Sequence, residues 1–205
     1  MMAAGPARSA GLEGGVGVLS WILLGVVLAG LYGWYATIVA RKNRVGEALG
    51  GIDVQLTQRH DLIPNVLAIA KRFMAHEKDL LEEIARLRAT GAERIGATDA
   101  AAIAQKFQSE AKLGADMGRL FAVAENYPEL KSDRPMLEAQ RSYQEVETNI
   151  AAARRFYNAA VTDLRNACQI FPGSLLAGLA GAGSLPPFFE APEASRAAVN
   201  AADHL

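Results

Sequence analysis

Residues 135–170 read PMLEAQRSYQEVETNIAAARRFYNAAVTDLRNACQI, and within them Met136, Ala139, Tyr143, Val146, Ile150, Ala153, Tyr157, Ala160 and Leu164 recur at alternating steps of three and four. That spacing lays a single apolar stripe along a helix, and such a stripe needs facing helices to cover it. Pro135 fits the first turn, where no amide hydrogen is required, with Ser132 or Asp133 ahead of it as a cap. Phe171 and Pro172 close the segment.

Upstream, the same period recurs. Asp99 is placed to cap a helix whose one side carries Ile103, Phe107, Leu113, Met117, Leu120, Ala124 and Tyr127, ending at Pro128. Val66, Ile69, Phe73, Leu80, Ile84 and Leu87 predict a helix from about Pro64 to Ala89, and the glycine-containing stretch Thr90–Thr98 reads as a loop. Before it, Val45, Leu49, Ile52 and Leu56 mark another seam, with Gly46, Gly50 and Gly51 inviting a bend. Pro64 lacks an amide hydrogen and disfavours helical geometry at Ile63, so a stop or kink is predicted near Asp61, with Asp61 capping the next helix. Four amphipathic helices on short connections predict an all-α fold, an antiparallel up-down-up-down four-helix bundle over residues 41–170.

From Gly14 to Ala40 no residue is charged, a run of about 27 positions, where roughly 20 cross a bilayer. It is too long for a cleaved signal, and Tyr32, Trp34 and Tyr35 occupy the place of a small-residue cleavage site. Residues 16–40 are therefore read as a single transmembrane helix behind a short tail (1–15), continuing outward into the bundle. Trp21 near one end and Tyr32, Trp34 and Tyr35 near the other fit the two water boundaries. Arg41, Lys42 and Arg44 follow the span, against Arg8 and Glu13 before it, which predicts an outside amino terminus and a cytoplasmic bundle at the inner membrane. Gly25, Ala29 and Gly33 stack on one face of the span. They fit close approach of a second helix, and equally the ordinary small-residue content of membrane helices.

If the four helices alternate in direction, the chain after Ile170 comes back to the bilayer; at 1.5 Å per residue, 135–170 covers roughly 54 Å. The stretch from Asn166 to Phe189 is again uncharged, but Pro172, Pro186, Pro187 and repeated glycines exclude a second span. Two readings stay open: an interfacial segment with Leu175, Leu176, Leu179, Phe188 and Phe189 dipping into the headgroup region, or a cover over the bundle end. Together 171–205 form an apolar, then flexible, tail.

Composition sets the outer limits. With 205 residues, 51% hydrophobic, 21% charged and a net charge of −1, the chain can bury a core and has no basic face for nucleic acid. One cysteine, Cys168, builds neither a disulfide framework nor a zinc cluster. His60, His76 and His204 are far apart with no HExxH or ExxH spacing, and neither a phosphate-cradling glycine loop nor a GxSxG elbow occurs. No catalytic activity, cofactor, metal or small-molecule substrate is predicted.

The ordered blocks RKNRV (41–45), IDVQLTQRHDLIPN (52–65), AVAENYPELKS (122–132), ARRFYNAAV (153–161) and IFPGSLLAG (170–178) resemble the LemA family of bacterial membrane-anchored helical proteins. The likeness spans about Tyr35 to Glu190. It implies a long helical bundle on a membrane anchor and brings no established catalysis. Ser174 stands where the family usually has Asn, and the aromatic that often follows AGL is absent from GLAGAG, which weakens any specific tail contact. The conspicuous polar residues Asp53, Gln55, Arg59, His60, Asp61 and Asn65 on the first two helices, and Glu125, Asn126, Arg155 and Asn158 on the others, are candidates first for interhelical hydrogen bonds and second for partner contacts. On the predicted topology Asp61 sits at the membrane-distal end. The expected role is a membrane-tethered scaffold that touches lipid and binds itself or another membrane protein. The alternatives are an accessory of a sensor kinase or membrane protease, and a cryptic ligand-binding bundle, which would require a cavity uniting His60, Asp61 or Arg155.

Overall fold

A computed structural model describes residues 10–91 and 99–190, with side chains from residue 17 onward. Every regular element among them is helical: α1 Ala10–Phe73, α2 Lys78–Gly91, α3 Ala100–Ala124, the short α4 Pro128–Lys131, α5 Arg134–Gln169 and the single turn α6 Gly173–Leu176. Expectations that fall on 1–9, 92–98 and 191–205, namely the Arg8 side of the charge asymmetry, most of the Thr90–Thr98 loop, His204 and the end of the tail, lie outside the described residues.

The largest correction is at Pro64. The predicted stop near Asp61 does not occur; α1 continues through Pro64 to Phe73, and the chain reverses at Met74–Glu77 instead. Proline in a helix deprives the carbonyl four residues earlier of its donor. That carbonyl is His60 O, and the Arg88 Nε–H from α2 donates to it at 2.8 Å. The vacated acceptor is thus satisfied by a neighbouring helix, and the shaft need not break. Asp61 accordingly caps nothing and lies part-way along the shaft, exposed, while the distal end is the 74–77 turn. Gly46, Gly50 and Gly51 do not interrupt α1 either.

The starts of α3 and α5 follow their predicted signals, although Asp133 makes no side-chain capping bond; the helix predicted from Pro64 to Ala89 is divided at 74–77, and α3 ends at Ala124, ahead of Tyr127 and Pro128. The Asp99 side chain accepts from the amides of Ala101 and Ala102 at the start of α3. Asp133 precedes α5, with Pro135 in its first turn. Contacts between α1 and α5 advance along one as they retreat along the other: Trp34 with Ala167, Arg41 with Asp163, Arg59 with Glu147, Arg72 with Asp133. The end of α5 therefore lies beside Trp34.

Two apolar clusters fill the interior. One gathers Ile38, Val45, Ile52, Leu56, Phe107, Ile150, Tyr157 and Leu164 with Phe189. The other gathers Ile63, Val66, Met74, Ile84, Leu113, Met117, Leu120 and Tyr143 around the distal half. Along α1 burial starts abruptly: Val18, Leu19, Trp21, Ile22, Leu23 and Leu28 are exposed, whereas Ile38 is fully buried.

Candidate functional site

Between the two clusters lies a layer of charge. Arg59 and His60 on α1 and Glu110 on α3 are the buried charged or polar residues of the described chain, at 3%, 6% and 1% exposure. Their helix positions explain the burial. Arg59 and His60 fall between Leu56 and Ile63, one on each side of the cluster boundary, and Glu110 falls between Phe107 and Leu113 on the same stripe of α3.

The layer ties three helices together. The Arg59 guanidinium pairs with the Glu110 carboxylate, donates to the Glu110 main-chain oxygen at 3.0 Å, and reaches Glu147 on α5 at 2.9 Å. His60 Nε2 meets Glu110 Oε1 at 2.9 Å. Burial alone would raise the Glu110 pKa, but the His60 hydrogen bond and the Arg59 charge outweigh it and hold the carboxyl below its ordinary range. Ionised carboxylate accepts only, so His60 Nε2 carries the proton and donates. Tyr143 stands beside the layer with a buried hydroxyl, and burial pushes its phenol well above the usual value. Gly91, at the end of α2, permits this close approach: a Cβ there would lie 2.8 Å from His60 Cε1.

A cleft of about 220 Å³ opens next to the layer, lined by Asp53, His60, Asp61, Arg88 and Lys106 among others. Lys106 pairs with Asp53 across it at 2.6 Å. Arg155 does not line it; that residue is exposed on α5. Of the three residues named for a cryptic ligand-binding bundle, the cleft brings together His60 and Asp61 and leaves Arg155 out.

The remaining predicted polar residues separate into two kinds. Asn158 clamps α5 to the returning tail, not to another helix: its side chain accepts from Phe189 N–H and donates to Phe189 O, at 2.9 and 3.0 Å. Tyr157 beside it donates to Pro187 O, and burial pushes its phenol up to about 12. Gln55 is half-buried. Asn65, Glu125 and Asn126 are exposed, with Glu125 paired to Lys131.

At the opposite end, the aromatics expected at the water boundary divide by burial. Tyr32 and Trp21 are exposed, but Trp34 and Tyr35 are half-buried against the bundle's first cluster. Arg41 pairs with Asp163, Lys42 lies against Gly181, and Arg44 sits over the Phe156 ring at 5.8 Å. Gly25, Ala29 and Gly33 lie on the exposed stretch of α1. Phe189 corrects the reading of the tail. It is 5% exposed and stacked on Phe107 at 4.1 Å, because the chain after Gly181 turns back along α5 and fills the space left beside α3. Phe188 lies under the Arg165 guanidinium, 4.6 Å from the ring centroid. Phe189 is therefore buried rather than at an interface, whereas Phe188 keeps 39% of its surface exposed.

Beside this geometry stands a family comparison: the LemA family model matches residues 48–202. The chain belongs to the LemA family. The match takes in the buried charge layer, α5 and the returning tail, and starts after the uncharged run. No curated protein matches this LemA-family chain.

Sequence reasoning missed Glu110, Glu147 and Lys106, which complete the polar layer. Glu110 had a readable signal: an acid at the i+3 position between Phe107 and Leu113, inside an apolar stripe.

Proposed function

We propose that this LemA-family chain is a non-enzymatic, single-pass membrane-anchored scaffold that presents an antiparallel four-helix bundle on the cytoplasmic side of the bacterial inner membrane. One observation carries the reading. The side chains from Val18 to Leu28 stand exposed on the same unbroken helix that, from Ile38, builds the bundle core. No described part of the chain covers this apolar surface, and it is far larger than the patches soluble monomers tolerate. A bilayer is its natural solvent. Among the described residues this is the helix long and apolar enough to cross a membrane. The scaffold role is supported by the interior charges, which are spent on one another: Arg59 is held by Glu110 and Glu147, and His60 by Glu110. The cytoplasmic orientation rests on Arg41, Lys42 and Arg44 after the span.

Purification of the full chain from gently solubilised membranes tests the role. A scaffold recovers chiefly copies of itself; stoichiometric recovery of a kinase or protease would replace the scaffold by an accessory. Resistance of the membrane-bound chain to alkaline extraction, together with protection of a bundle epitope from protease in spheroplasts, is the expected result for anchor and orientation.

A further inference from the structure

We infer that the turn following α5, residues 170–179, is a second membrane contact, a foot that rests in the lipid headgroup region beside the emerging span. This deepens the anchoring reading and rests on it. Three observations point to a lipid occupant.

The first is position. Ala167 O lies within the last turn of α5 and takes its hydrogen bond from the Trp34 Nε1–H at 3.1 Å. Gly173 is pressed into the same place: a Cβ there would collide with Ala167 O and lie 2.6 Å from Trp34 Nε1. About 20 residues cross the hydrocarbon, so a span that starts at about Gly14 to Gly17 runs out at about Trp34 to Ala36. The foot is thereby held at the height where α1 leaves the bilayer.

The second is surface. Ile170, Phe171, Leu175 and Leu179 are 57%, 75%, 69% and 78% exposed. They form an apolar tip continuous with the apolar span, and no charge occurs from Asn166 to Phe189.

The third is the backbone. Irregular chain in an apolar medium is tolerated only where its polar groups are satisfied internally. The amides of Ile170, Gly173, Leu175, Ala177, Ala180, Gly181 and Ala182 all donate to carbonyls within 166–178. Gly181, at φ 65°, then turns the chain away from the tip toward Phe189. The same reversal explains why Phe189 is not part of the foot: its clamp Asn158 stands opposite about residue 47 of α1, roughly 20 Å beyond Trp34 at 1.5 Å per residue.

The test uses the full chain in phosphatidylcholine vesicles, with Cys168→Ala and single nitrobenzoxadiazole-labelled cysteines at Leu179, Val26 or Thr57, all exposed positions. Spin-labelled lipid quenches from within the bilayer and iodide from the water. The expected result is lipid quenching at Val26 and, at least twofold above the Thr57 level, at Leu179. Quenching at Val26 with Leu179 at the Thr57 level and open to iodide overturns the foot and leaves the anchor standing. Leu179 shielded from both quenchers means that protein covers it, and also overturns the proposal. Absence of lipid quenching at Val26 sinks the anchor and the foot with it. A Leu175-labelled chain repeats the comparison should Leu179 labelling disturb the fold.

Discussion

Glu110 has the environment in which a single substitution reveals most. It is a buried carboxylate that neutralises Arg59 and orients His60, and removing one member of such a set leaves the others charged or unpaired. Glu110→Gln is expected to cost about 3–5 kcal/mol in denaturant unfolding, whereas concerted apolar replacement of Arg59, His60 and Glu110 should cost far less. The acid limb follows from the same shift. The folded Glu110 carboxyl is held below its ordinary value of 4.5, so the unfolded chain binds that proton more readily. Its stabilisation is complete above about pH 4.5 and disappears as pH falls through the folded value. The deficit of Glu110→Gln relative to the parent should be largest at neutral pH and shrink below about pH 4.5, as thermal melts at a series of pH values will record. Gly91 supplies a second check. Alanine is favoured over glycine within a helix by about 1 kcal/mol, but a Cβ there meets His60 Cε1 at 2.8 Å. Gly91→Ala is therefore expected to destabilise, by roughly 1–3 kcal/mol; a gain in stability would show that the layer is loosely packed. The burial of Arg59 and His60 was hidden in the sequence, because their partner Glu110 is 51 and 50 residues away and an isolated charge reads as solvated surface.

Helix existence was legible in α5, where three-and-four apolar spacing runs without interruption, and in α3, where Glu110 alone breaks it, and Asp99 and Pro135 mark the starts. Helix limits were not legible around Pro64, because the donor that rescues His60 O is a side chain on another element. That compensation is measurable as a coupling. Pro64→Ala restores an amide donor within α1 and should stabilise by up to about 3 kcal/mol. Arg88→Ala in the parent leaves a carbonyl without its partner and should cost about 1–3 kcal/mol, with a clearly smaller cost in the Pro64→Ala background. Equal costs in the two backgrounds would mean that Arg88 does not substitute for the missing amide. The tail was half legible: its apolar character was evident, but the division into an exposed 170–179 turn and a buried Phe189 depends on which space α3 leaves open beside α5. Gly173→Ala, which forces a side chain into the Ala167–Trp34 contact, should unseat the turn and increase protease cleavage near residues 170–180 without unfolding α2 and α3.

At the scale of the whole molecule, the account depends on α1 being one shaft from the span to the 74–77 turn. Through that shaft the end of α5 is brought back to Trp34 and the charge layer is set between the two apolar clusters. Its length is open to direct measurement. Spin labels at Ala36 and Lys71, both exposed, on the Cys168→Ala background in lipid nanodiscs should lie about 52 Å apart by double electron–electron resonance if the helix is continuous. A distance distribution centred at about 32 Å, as a chain folding back at Pro64 would give at the same rise per residue, would contradict a continuous helix.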